Sequence, residues 1–243
     1  ILFIFMHKIF DQVILAPCDG TFILYQWLSA FAENVPGIDF FASTDFHVDL
    51  INIQLASQFY VHMSTSFWLA FVLSFPIVIF LFWQFISPGL YENEKRGARL
   101  IFLIGILLFF TGIAVGYYIV FPFSLRFFAN YQLSEAIPNQ ISLNSYIDTF
   151  MSLIFIMGIV FELPLVSMAL SKIGILRRSF YHKYRRHAIV ILMILAAAIT
   201  PDPFSMFAVF LPLYLLYEGS ALLVKKDEPE DDEPTSTDVV ETN

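Results

Sequence analysis

The sequence predicts an all-α polytopic membrane protein with six transmembrane helices, and three observations support this. The first is composition: 58% of the 243 residues are hydrophobic and 14% are charged, whereas a soluble domain averages about 45–50% and about 25%. The second is a series of long apolar runs, since a helix needs about 20 apolar residues to cross a hydrocarbon core of about 30 Å. The third is the placement of Lys and Arg, which gather on one side of these runs.

The apolar runs define six predicted spans, because backbone groups in lipid must be satisfied within their own segment and helices achieve this. In chain order the spans cover residues 1–16, 64–87, 100–125, 149–171, 188–200 and 203–224. The chain opens with Ile, and "ILFIF" soon meets His7 and Lys8. We therefore expect the first span to be truncated. A signal peptide is the weaker interpretation, since a basic start and a small-residue cleavage site are absent.

The fifth and sixth spans are short. Residues 188–200 would form roughly 20 Å of helix at about 1.5 Å per residue, which calls for a thinned bilayer or for snorkelling basic side chains. "TPDPF" joins the two spans with almost no loop. Asp202 followed by Pro203 predicts a helix N-cap with proline at the first helical position.

The basic residues predict the orientation. Eleven of the 13 bases fall on one side of the six spans, and only Lys8 and Arg126 fall elsewhere. The positive-inside rule makes the richer side cytoplasmic, and both termini of the intact chain then lie there too. The eleven are Lys95, Arg96, Arg99, Lys172, Arg177, Arg178, Lys183, Arg185, Arg186, Lys225 and Lys226.

Residues 1–226 are predicted to form a single integral membrane domain, followed by a tail. Residues 227–243 hold eight acidic residues and no Lys or Arg, which accounts for the formal net charge of −8. This polar segment predicts an acidic, disordered cytoplasmic tail. On the opposite side, residues 21–35 fit either an amphipathic helix lying over the outer face or a packed loop.

The sequence contains no recognisable catalytic, cofactor or metal motif. None of its ten glycines is followed by Lys, so it has no phosphate-binding loop of the Walker type. Its five histidines show no metal-ligand spacing, and Cys18 is the only cysteine, which rules out an intramolecular disulfide. We therefore expect no enzymatic activity, cofactor or metal, and no nucleic-acid partner.

Three acidic residues stand out by position. Glu94, in the hairpin between spans two and three, either pairs with a neighbouring base at about 0–1 kcal/mol or receives a cationic ligand such as arginine. Glu162 lies about 14 residues into span four, where a charge costs at least about 2.5–3.5 kcal/mol. It is either a neutral, hydrogen-bonded acid or part of a cavity wall, and Pro164 predicts a kink there. Glu218 fits an acid at the inner membrane boundary.

The hairpin pattern Phe85-x-x-Pro88-x-Leu90-x-x-x-Glu94-(Lys/Arg)-Arg96 resembles the signature of the TatC family, the signal-peptide receptor of the twin-arginine protein translocase. The resemblance covers roughly residues 10–226 and the order of the six spans. Further matching segments are "LAP" at 15–17, "LSFP" at 73–76, "VFP" at 120–122, "FELP" at 161–164 and "TPDPFS" at 200–205.

This resemblance implies a concave, cup-like bundle in the bacterial cytoplasmic membrane that binds twin-arginine signal peptides of folded cargo at its cytoplasmic face. It implies TatA/TatB-type single-span partners, a homo- or hetero-oligomer in contact with membrane lipid, and transport driven by the proton-motive force. The implied signal-peptide-binding residues are Phe85, Pro88, Leu90, Glu94 and Arg96. The implied cavity or partner contacts are Pro17, Glu162, Asp202 and Glu218.

Two features depart from the family pattern: the family's N-terminal helix with a Glu-Leu-Arg-like motif does not precede span one, and the "TPDPF" turn is short. A different class of function also fits an intramembrane acid. A proton- or cation-coupled secondary transporter would use Glu162 as its ion site, although no internal repeat is visible. A purely structural membrane scaffold is the third alternative.

Overall fold

The computed structural model describes residues 2–32, 46–86, 88, 92–134, 139–172, 178–200 and 202–223. In these residues α-helices dominate: α1 (Leu2–Ile9), α2 (Ile23–Ala32), α3 (Ser57–Ile86), α4 (Glu92–Val115), α5 (Phe121–Asn130), α6 (Leu143–Val160), α7 (Leu163–Lys172), α8 (Arg178–Ile199) and α9 (Pro203–Leu223). Two π-helical segments, Phe10–Ile14 and Gly116–Val120, a 3₁₀ turn at Ala16–Cys18, and the two-residue strands β1 (Leu50–Ile51) and β2 (Ile141–Ser142) complete the description.

Among the residues that the structure describes, four helical stretches are long and apolar enough to cross a membrane: Ser57–Phe82, Phe102–Asn130, Leu143–Ser167 and Pro203–Ala221. They correspond to predicted spans two, three, four and six. The all-α membrane fold class is therefore confirmed. α1 and α8 hold the other two predicted apolar runs but are not among these four stretches. The exact count of six spans therefore remains a prediction. The acidic tail lies outside the described residues.

The helices extend beyond the predicted spans. The helix of span two begins at Ser57 rather than at residue 64, and α8 begins at Arg178 rather than at residue 188. Hydropathy marks the part of a helix that tolerates hydrocarbon, whereas the i to i−4 hydrogen bonds continue into polar sequence. The predicted boundaries were therefore too narrow for the helices themselves.

The fourth span is broken where Pro164 predicted a kink. α6 ends at Val160, a turn occupies Phe161 and Glu162, and α7 begins at Leu163. Proline has no N–H to donate to the carbonyl of Val160, and its ring crowds that carbonyl. The chain adjusts with the Glu162 N–H donating to the Ile159 carbonyl at 3.0 Å.

Glycines allow α4 and α6 to approach closely. A Cβ added at Gly112 would lie 2.6 Å from the Met157 carbonyl oxygen, and one at Gly158 would lie 2.9 Å from the Phe109 ring. Small residues at such crossings let two backbones pack directly, which drives helix association in membranes. Phe109 is fully buried and stacks on Phe75 of α3 at 3.6 Å, so α3 joins the same core.

One end of the bundle carries a cap, formed by residues 10–26, 46–57, 116–130, 139–146, 200 and 202–205; we call this the cap end. β1 and β2 pair in parallel there, with Leu50 opposite Ile141. The Val48 N–H donates to the Cys18 carbonyl at 3.1 Å, and Ser57 Oγ donates to Asn144 Oδ1 at 2.5 Å. The opposite end, where α3 ends and α4 begins, is the hairpin end.

Candidate functional site

The hairpin end exposes an aromatic side chain at the end of one helix, a few residues before the next helix begins. Phe85 lies in the last turn of α3 and is 84% exposed, and Pro88 is also exposed. α4 begins at Glu92, which puts Glu94 in its first turn, where the helix dipole favours negative charge. Leu90 and the side chains of Glu94 and Arg96 lie outside the described residues. The backbone nevertheless brings Phe85 and Glu94 to the same end of two packed helices.

Three tyrosine hydroxyls hold the chain between Val13 and Pro17 at the cap end; we call them the tyrosine clamps. Tyr117 donates to the Val13 carbonyl at 2.8 Å, and Tyr146 donates to the Ile14 carbonyl at 2.5 Å. Tyr25 lies within 3.1 Å of the Pro17 carbonyl and 3.2 Å of the Pro122 carbonyl. Carbonyls at the end of a helix lack intrahelical donors, and the clamps supply them.

Pro17 is buried, and its carbonyl accepts a hydrogen bond from the Tyr25 hydroxyl of α2. Residues 21–35 were predicted as either an amphipathic helix over the outer face or a packed loop. α2 is helical from Ile23 to Ala32, residues 33–35 lie outside the described part of the chain, and the position on the outer face stays a prediction. Burial raises the pKa of Tyr25, so its hydroxyl keeps the proton that it donates.

Arg126 is fully buried at the cap end. Its guanidinium carbon lies 4.9 Å from the centre of the Tyr25 ring and 5.1 Å from that of Phe46. Aromatic faces attract a desolvated cation by about 2 kcal/mol or more. In the sequence, Arg126 is notable only as a base outside the clusters that are predicted to be cytoplasmic. Its separation from the other bases was the one feature of the sequence that could have indicated a buried, aromatic environment.

Asp202 is buried at the turn between α8 and α9, with 1% of its surface exposed. Its Oδ2 accepts from the Ser205 N–H at 2.7 Å, which confirms the predicted N-cap, and its Oδ1 accepts from Ser124 Oγ at 2.8 Å. Ser124 belongs to α5 and also lies 2.7 Å from Ser205 Oγ. Asp202 therefore ties the start of α9 to α5.

Glu162 occupies the break between α6 and α7. Its Oε2 faces Gly105 of α4, where an added Cβ would lie 3.1 Å away. Both carboxylate oxygens are buried, and neither has a hydrogen-bond partner within the described part of the chain. The absence of a side chain at Gly105 leaves room for this carboxyl group.

Glu218 faces the neighbouring helix. Its Oε1 lies 2.6 Å from Arg185 Nε of α8, and Arg185 also donates to the Tyr214 hydroxyl at 2.9 Å. The sequence predicts Glu218 at the inner boundary but does not reveal this partner, because Arg185 comes from another helix 33 residues earlier in the chain.

The predicted site residues therefore fall into separate groups. Pro17 and Asp202 share the cap end, Glu162 lies between the two ends, and Glu218 lies near the far end of α9. The tyrosine clamps and Arg126 are the features that sequence analysis did not predict. Among the described residues there is no group of three or more His, Cys, Asp or Glu placed to hold a metal ion.

Comparison with known proteins gives consistent matches. The family profile described as Sec-independent protein translocase protein (TatC) matches residues 1–212. A Sec-independent protein translocase protein TatC from a Blattabacterium species is 36% identical over 219 residues, covering 88% of this chain and 81% of that protein. The corresponding protein of Campylobacter jejuni is 34% identical, covering 75% and 74%.

Solved structures agree with this. A crystal structure of the twin-arginine translocase receptor TatC in the detergent DDM superposes with a TM-score of 0.67 at 28% identity, covering 92% of this chain and 89% of that one. A second crystal structure of the same receptor gives 0.59 at 30% identity, covering 82% and 84%. Together with the geometry above, these matches show that the chain is an integral membrane component of the twin-arginine translocase and belongs to the TatC family.

Proposed function

We propose that this chain is the receptor that binds twin-arginine signal peptides of folded cargo at the cytoplasmic face of the bacterial inner membrane. In this proposal the hairpin end faces the cytoplasm, as do both termini of the intact chain. The signal peptide is received by Phe85, Pro88, Leu90, Glu94 and Arg96.

The observation that carries the proposal is the exposure of Phe85 in the last turn of α3, seven residues before Glu92, where the helix that bears Glu94 begins. A large aromatic ring that is 84% exposed lies beyond the apolar stretch Ser57–Phe82, so it is available to a ligand at the membrane surface. The positive-inside rule also supports a cytoplasmic location for the hairpin end, because Lys95, Arg96 and Arg99 lie near the start of α4.

The chemistry of the ligand fits these residue types. A carboxylate such as Glu94 can accept two parallel hydrogen bonds from one planar guanidinium group. An aromatic ring such as Phe85 can contact a second guanidinium through its face. An arginine pair therefore suits this site better than a lysine pair, whose ammonium groups are compact point charges.

Other translocase subunits complete the proposed function. Membership in a translocase family implies work with further components of the system, and we propose TatA/TatB-type single-span subunits in a homo- or hetero-oligomer. The family transports protein rather than catalysing a chemical reaction, and we propose the proton-motive force as its driving force. The alternative of a secondary transporter built on Glu162 is set aside, because the family match spans the sequence from residue 1 to residue 212.

Replacing Glu94 by Ala tests the proposal. We expect export of a twin-arginine reporter to fall at least about thirtyfold, since losing one partner of a desolvated charge pair costs about 2–5 kcal/mol. Glu92→Ala, which removes the same charge two residues earlier, is the matched control and should export normally. Immunoblots must show equal protein levels. Normal export by Glu94→Ala would reject the assigned role.

A further inference from the structure

One face of α8 combines basic and aliphatic side chains in a single row, which we call the α8 stripe. Its members recur at helical spacing and all are exposed: Lys183, Arg186, His187, Val190, Ile191 and Ile194. The three polar members lie toward the start of the helix and the three aliphatic members toward its end. From Lys183 to Ile194 the row extends roughly 17 Å at about 1.5 Å per residue.

The opposite face of α8 packs on α9. Leu192 and Ala196 are buried there, and Arg185 forms its ion pair with Glu218 of α9. The stripe therefore points away from α9. Within the described part of the chain nothing covers it, since Val190, Ile191 and Ile194 are each at least 57% exposed.

The basic members of the α8 stripe are free to meet an external anion. Neither Lys183 nor Arg186 forms an ion pair with any residue that the structure describes. Lys183 Nζ instead lies 5.8 Å from the centre of the Tyr184 ring, and that ring lies 5.7 Å from the His187 ring. Arg185, by contrast, has its charge matched by Glu218.

We propose that the α8 stripe binds an anionic phospholipid of the cytoplasmic leaflet, with Lys183, Arg186 and His187 around the phosphate and the aliphatic row along an acyl chain. Basic residues beside a membrane span attract anionic headgroups. The apolar run predicted within α8, residues 188–200, is short, so the bases that precede it lie near the level of the headgroups. The site goes beyond signal-peptide recognition: it shares only the membrane orientation with the proposed function, and no residue with the hairpin.

A second anion could reach these bases, namely the acidic segment 227–243 of the same chain. The aliphatic half of the stripe favours the phospholipid, because Val190, Ile191 and Ile194 continue the basic row with apolar surface. A peptide with eight acidic residues in 17 positions offers little to cover that surface. A phospholipid has both parts in the same order as the stripe.

Native mass spectrometry in detergent tests the site, using phosphatidylglycerol and phosphatidylcholine of equal chain length. We expect phosphatidylglycerol to bind the unmodified chain at least about tenfold more tightly. Lys183→Gln and Arg186→Gln should each weaken it about fivefold, and the double variant should lose the preference. Lys8→Gln removes a base near the cap end and should leave binding unchanged. Size-exclusion profiles check that the variants fold.

Three results would overturn the proposal. The first is an undiminished preference for phosphatidylglycerol in the double variant. The second is displacement of the lipid by soluble glycerol phosphate at similar concentration, which would make the bases a general anion site. The third is a preference that emerges only when the chain is truncated after Lys226, which would identify the acidic segment as the occupant. Signal-peptide binding is measured separately, so failure here leaves the receptor proposal standing.

Discussion

The cap end and the hairpin end of this bundle are built in opposite ways. Within the described residues, most hydrogen bonds of buried side chains lie at the cap end, where Tyr25, Tyr146, Asp202 and Thr200 make them; Ser220 near the far end of α9 makes one to its own helix. At the hairpin end the polar contacts, such as Arg185 with Tyr214, lie nearer the surface, and Phe85 is among the most exposed side chains.

This difference suggests a division of labour. Buried hydrogen bonds in a low-dielectric setting fix one arrangement of the chain, because each broken bond leaves a costly unpaired group. An exposed aromatic ring beside charged residues is a surface that gains from binding. We therefore expect the cap end to act as the rigid scaffold and, under the receptor proposal, the hairpin end as the part that meets ligands.

The largest effect is expected from glycine substitutions that compare the packed core below the cap with the far end of α9. Gly112→Ala places a Cβ 2.6 Å from the Met157 carbonyl and 2.8 Å from Phe161. We expect it to lower the free energy of unfolding by about 3 kcal/mol, the upper range for overpacking. Gly219→Ala meets nothing within 4 Å and should be neutral or stabilising by up to about 1 kcal/mol.

Unfolding with sodium dodecyl sulfate in dodecyl maltoside micelles would measure both glycine variants. Equal losses of stability in Gly112→Ala and Gly219→Ala would show that the core below the cap and the far end of α9 are packed alike, contrary to the comparison.

A smaller effect is expected from removing single tyrosine hydroxyls. Tyr146→Phe leaves the buried Ile14 carbonyl without its donor, which should cost about 2 kcal/mol of unfolding free energy. Tyr217→Phe removes the bond to the Tyr181 carbonyl near the hairpin end and should cost about 0.5 kcal/mol, since that group is only partly buried. Unfolding with sodium dodecyl sulfate would rank Tyr146→Phe and Tyr217→Phe by their loss of stability. A larger loss in Tyr217→Phe would refute the scaffold role of the tyrosine clamps.

Thiol labelling compares the two ends with the smallest change to the protein, because it reports how accessible one side chain at each end is. Burial raises the pKa of Cys18 to about 11, above its ordinary value near 8.5–9. The thiolate is the reactive form, so maleimide should label native Cys18 at least about a hundredfold more slowly at pH 7.5 than a cysteine at position 85 in a Cys18→Ser background. The Cys18 rate should still rise between pH 9 and pH 10. Similar rates at both positions would contradict a closed cap.

Sequence patterns predicted the features that depend on local chemistry. The break at Pro164 follows from its missing N–H, the Asp202 cap follows from the preference of carboxylates for helix starts, and four spans follow from hydropathy. Each of these rests on residues that are close to one another in the sequence. The helix boundaries were less well predicted, because helices continue past the apolar residues that reveal them.

The tyrosine clamps could not be predicted in the same way. Tyr146 and Ile14 are 132 positions apart, and Tyr117 and Val13 are 104 apart. The acceptor in each case is a backbone carbonyl, which every residue carries, so the sequence contains no sign of the pairing. The rings around Arg126 likewise come from α2 and from Phe46, which only the folded chain brings together.

The most direct test of the receptor proposal is photocrosslinking from Phe85, replaced by p-benzoylphenylalanine, to a twin-arginine signal peptide in membranes. Phe59, exposed near the opposite end of α3, is the matched control position. We predict crosslinks from position 85 and none from position 59. They should drop at least about tenfold when the peptide carries two lysines, or when Glu94 is replaced by Gln. Equal crosslinking of both peptides, or stronger crosslinking from position 59, would contradict a twin-arginine receptor site at the hairpin end.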